Sequence, residues 1–75
     1  MRRTKQDAQR IRDALIEDAK RAMQAGQPFP KSDYLALSYG RHLSQMARHV
    51  QWLDDAGKIE FQQRGCSRFV VRVAA

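Results

Sequence analysis

The chain has 75 residues, 14 of them Lys or Arg against eight Asp or Glu, for a formal charge of +6. A unit this short buries only about 60% of the surface its unfolded chain exposes, so it holds one core and leaves no chain for a second domain. No apolar run nears the roughly 18 residues needed to span a bilayer, and the opening "MRRTKQDAQR" lacks the apolar stretch of a secretory signal, so a cytoplasmic location and no membrane partner are expected.

The one cysteine, Cys66, has no internal disulfide partner, in keeping with a reducing compartment. Charge is uneven along the chain: residues 1–25 hold seven basic and four acidic side chains, residues 26–57 three of each, and residues 58–75 four basic against one acidic. A polyanion would therefore be attracted mainly by the two ends.

In chain order, Thr4 is placed to cap a first helix over about residues 5–25, with Ala8, Ile11, Leu15, Ala19, Ala22 and Met23 on one stripe. Gly26 stops it, and "GQPFP" reads as a connector because Pro28 and Pro30 lack backbone donors. Ser32 is placed to cap a short second helix over about 33–39, with Asp33 in its first turn, Leu35 and Ala36 inward, and Tyr39-Gly40 closing it. Met46, Val50 and Leu53 then mark the buried edge of a third helix over about 42–56, ended by Gly57. Its opposite edge carries Gln45, Arg48 and Gln51 or Trp52.

From Lys58 the period becomes twofold. Ile59 and Phe61 alternate with Lys58, Glu60 and Gln62, and Phe69, Val71 and Val73 with Arg68, Val70 and Arg72, a hairpin over about 58–73 that turns at "QRGCS" around Gly65. The expectation is one small α+β domain, three helices followed by a two-stranded hairpin.

This order is that of a winged helix-turn-helix, and the chain resembles the DNA-binding domain of GntR-type bacterial regulators. The matching residues are Phe29-Pro30, Leu35-Ala36, Tyr39-Gly40, Leu53, Gly57, Ile59, Gly65 and Phe69-Val70, over roughly residues 24–71, with one extra residue in the first strand of the wing. The resemblance implies a recognition helix at 42–56 and a wing at 58–73. The family's DNA-contacting arginines are replaced by Asp33, Leu43, Ala47 and Cys66, so its typical operator is not the expected target. The resemblance stops at the wing, so no small-molecule effector domain is expected.

A helix of this kind enters the major groove, where long polar side chains distinguish base edges. Ser44, Gln45 and Arg48 are the candidates for base edges, and Lys31, Arg41, His42, Arg64 and Arg68 for phosphates. "MRRTK" would serve as an electrostatic arm. Trp52 and Tyr34 need cover for their apolar bodies, in the core first and at a dimer interface second. Ile16, off the main stripe, suits a helix-to-helix homodimer contact that would suit a palindromic site.

No enzyme is expected. His42 and His49 are seven residues apart, about 10 Å along a helix, too far for one metal ion. No Cys pair, phosphate loop or Ser-His-acid set can be assembled, so neither metal nor cofactor is expected. The reading is a sequence-specific double-stranded DNA-binding protein, a small transcriptional regulator or repressor of a bacterial operon or mobile element. The alternative is a winged-helix protein-interaction module, such as a phage- or plasmid-encoded inhibitor or assembly factor.

Overall fold

A computed structural model describes residues 5–74, which form three helices and a hairpin, a small α+β fold as expected. Helix α1 (Lys5–Ala25) buries Ile11, Leu15 and Ala19, whose spacing of four keeps them on one stripe. The expected cap at Thr4 lies outside the described residues, as does the N-terminal arm except for the Lys5 backbone. Met23, expected on the buried stripe, is 38% exposed, because the last turn of α1 runs past the core before the chain turns at Gly26.

Helix α2 (Ser32–Tyr39) is capped by the extended backbone of Lys31 without a side-chain hydrogen bond. Ser32, expected as the cap, is instead its first helical residue, and the Asp33 carboxylate accepts from the Tyr34 N–H at 2.8 Å. Leu35 is buried, whereas Tyr34 points out at 62% exposure, against the expectation that it would be covered. Gly40 ends the helix at φ +62, and the Arg41 N–H reaches back to the Ala36 carbonyl at 3.0 Å. A Cβ at Gly40 would meet nothing within 4 Å, so the demand for glycine is one of backbone angle alone.

Helix α3 (Leu43–Asp55) buries Met46, Val50 and Leu53. Trp52, expected in the core, lies off that line and is 42% exposed, with the Arg12 guanidinium 3.9 Å above its ring. Ile16 packs half-buried against the core of its own chain.

Strands β1 (Ile59–Arg64) and β2 (Ser67–Val73) pair antiparallel, Arg64 opposite Ser67, which leaves Gly65-Cys66 as a two-residue turn. Positive φ at Gly65 and not at Cys66 is the pattern of a turn whose twist suits a hairpin. Glu60 faces Arg72 but Phe61 faces Val70, so Val71 has no partner and β2 bulges there. The bulge overturns the simple alternation expected for this strand. Val70 and Val73 both reach the core, and Val71, expected inward, is 44% exposed.

The connector holds the hairpin to the helices. The Phe29 N–H donates to the Arg68 carbonyl at 2.8 Å, and its buried ring meets Phe61 edge-on, centroids 5.3 Å apart. On the other side of the core the Tyr39 hydroxyl donates to Asp18, which also pairs with Arg21, fastening the end of α2 to α1. Burial first, and then the bond to the Asp18 carboxylate, hold the Tyr39 phenol above its ordinary pKa.

The folded phenol thus keeps its proton to higher pH than the unfolded one. Unfolding releases that proton above about pH 10, so stability should fall as pH rises beyond that point, while below it the group's contribution is constant with pH. Urea unfolding from about pH 8 to about pH 11 checks this: Tyr39→Phe should lose about 1 kcal/mol at the lower end and show a flatter alkaline limb than the parent.

Candidate nucleic-acid interface

Opposite the buried edge of α3, Ser44, Arg48 and Gln51 form one exposed row at spacings of four and three. Arg48 is the one Lys or Arg in α3, and among the described residues it has no carboxylate partner. Asp54 and Asp55 occupy the last turn, so the acidic end repels a polyanion and the N-terminal half can approach one.

The start of α3 is held by its own polar groups. His42 is the N-cap: its Nδ1 accepts from the Ser44 N–H at 3.2 Å and lies 2.8 Å from the Ser44 Oγ. Gln45 Oε1 accepts from the His42 N–H at 3.4 Å, completing a capping box. Gln45, expected at a base edge, is therefore half-buried and turned back on the helix start. Gln51 takes its place in the exposed row, and its spacing of seven from Ser44 was the legible signal. Its Nε2 donates to Asp55 at 2.9 Å, an exposed contact.

Arg41 is not open to a phosphate as expected. Both of its terminal nitrogens bind Asp7 of α1, at 2.9 and 2.8 Å, with the two side chains only 25% and 29% exposed. This bidentate pair ties the turn before α3 to the first helix. Spacing along the chain gave no sign of it, because the partners are 34 residues apart.

Four of the candidate phosphate or base contacts, Lys31, Arg48, Arg64 and Arg68, have no carboxylate partner among the described residues. The structure brings two of them together. Lys31 and Arg68 line one open groove of about 690 Å³ with Tyr34, Gln63 and Cys66, and none of its described lining residues is Asp or Glu. The groove runs between the start of α2 and the hairpin, where the connector pairs with β2.

Arg64 and Arg68, read in sequence as flanking one tip, occupy opposite faces of the hairpin. Arg68 opposes Gln63 and lies 4.8 Å over Phe61 on the inner face. Arg64 lies 5.2 Å over Phe69 on the outer face and donates to Gln62 at 3.0 Å. Each ring supports a guanidinium, the Arg64 side chain exposed and Arg68 half-buried.

These groups can bind an anion and donate hydrogen bonds. Among the described residues no group of three or more His, Cys, Asp or Glu is placed to hold a metal ion. Cys66 is a free, exposed thiol at the hairpin turn. No described helix is long and apolar enough to cross a membrane. No family model matches the chain, nor does a curated protein or a solved structure.

A double-mutant cycle with Asp7→Ala and Arg41→Ala, followed by urea denaturation, should return a coupling of about 1 kcal/mol, above that of an exposed ion pair because the fork is bidentate and mostly covered. Lys20→Ala should change stability by less than about 0.5 kcal/mol, since its contact with Glu17 is long and exposed.

Proposed function

We propose that this chain is a winged helix-turn-helix protein that binds double-stranded DNA with sequence preference and regulates transcription by occupying its site. In this reading α3 is the recognition helix and the hairpin is the wing. The observation that carries the reading is the exposed Ser44–Arg48–Gln51 row, whose arginine has no carboxylate partner among the described residues. Lys31 at the start of α2 and Arg64 and Arg68 of the hairpin add to it, as does the formal charge of +6.

Ser44, Arg48 and Gln51 would face base edges, Arg48 making the bidentate contact that guanine offers. Lys31, Arg64, Arg68 and the His42 end of α3 would lie along phosphates. The two stacked arginines on opposite faces suit a wing that enters a groove edge-on and meets a strand on each side. A cytoplasmic homodimer with two such helices would suit a palindromic site of a bacterial operon or mobile element, and no catalytic step is involved.

A second reading, a winged-helix module that binds another protein, has its own support. Leu37 is 84% exposed and Tyr34 62% exposed on α2, one turn apart, more apolar surface than a helix facing water needs.

Selection from a random duplex pool, then titration at several salt concentrations, separates the two. The expected outcome is an enriched site whose affinity falls about tenfold or more in Arg48→Ala, with relaxed preference at one base pair. Arg64→Ala and Arg68→Ala should weaken all duplexes alike, each lowering the salt slope by about one. Absence of any enriched site, together with a salt-insensitive protein complex lost in Leu37→Ser, would favour the second reading.

A further inference from the structure

Leu43 and Ala47 sit one turn apart on α3, on the flank of the Ser44–Arg48–Gln51 row, and both are exposed, Leu43 at 49%. Neither belongs to the buried cluster, to which α3 contributes Met46, Val50 and Leu53. Two apolar side chains thus border the polar row near the N-terminal end of the helix, where the acidic last turn is farthest away.

The major-groove edge of DNA offers hydrogen-bond donors and acceptors at every base pair, but among the four bases only thymine adds an apolar group, its 5-methyl. An apolar side chain on a helix in that groove has the thymine methyl as its natural complement. Ala47 is also short enough to let the helix backbone approach closely, and it directly precedes Arg48. Leu43 and Ala47 are separated by about 6 Å along the axis at about 1.5 Å per residue, close to two base-pair steps of about 3.4 Å.

Resting on the DNA reading above, we infer that Leu43 and Ala47 are specificity residues that read thymine 5-methyl groups within about two base pairs of the guanine addressed by Arg48. The site taken by this chain is then a guanine bordered by thymines. Preference at those thymines comes from burial of the methyl, without a hydrogen bond.

Replacing thymidine by deoxyuridine removes the methyl and leaves the pairing edge and the hydrogen-bonding pattern intact. In the enriched duplex the replacement is made one position at a time, with the full chain as binder. Loss of about three- to fivefold in affinity is expected at one or two positions near the guanine, as for one buried methyl. Replacement outside the site should have no effect. In Leu43→Ala and Ala47→Gly, each checked for retained helix content by circular dichroism, the loss should shrink below about twofold at the position that residue reads.

Two results overturn the inference while leaving the DNA reading intact: an enriched site indifferent to every deoxyuridine, or a methyl effect equal in the parent and both variants. Failure to enrich any duplex overturns the DNA reading and this inference together.

Discussion

Phe29 is where the hairpin and the helices become one body. A two-stranded sheet is marginal in water, so β1 and β2 need an apolar surface to lie on and a fixed edge to pair with. The buried Phe29 ring supplies part of the first through Phe61, and its N–H supplies the second through the Arg68 carbonyl. The flanking prolines help, because neither can continue a helix and both hold the connector extended beside β2. The nearness of Lys31 to Arg68, and the groove they share, both follow from that attachment.

Electrostatics divides the cations into two sets. Arg21 and Arg41 meet carboxylates on α1, at Asp18 and Asp7, Arg72 meets Glu60 across the hairpin, and Lys20 makes a looser contact with Glu17. The excess positive charge is thereby left on side chains such as Lys31, Arg48, Arg64 and Arg68, which surround the start of α2, the exposed row of α3 and the turn of the hairpin. The protein combines a stabilising use of arginine, in the covered fork to Asp7, with arginines stacked on rings, Arg64 exposed and Arg68 half-buried.

The cap of α3 links the fold to the proposed use. Ser44 and Gln45 each bond His42, which fixes the first turn of the helix before any ligand is met. Arg41, one residue earlier, anchors the same turn to α1. A helix so held presents Arg48 from a rigid support, which reduces the ordering cost of binding.

Periodicity along the chain was enough to mark three helices, the hairpin and the buried edge of α3, because spacings of three and four, or of two, determine which side chains share a face. Gly26, Gly40 and Gly65 were legible as turns, since their positive φ angles are ones that other residues avoid. The bulge at Val71 was not legible: three valines within residues 70–73 fit either face until the pairing with β1 selects one. The exposed row of α3 could be read to within one position, but the withdrawal of Gln45 and Arg41 could not. Both serve contacts decided in three dimensions, a cap closed by local geometry and an ion pair between residues 34 apart. Local pattern sets which residues are able to face the core. Which polar side chains stay free for a partner depends on what the folded chain brings within bonding distance, and that only the tertiary structure decides.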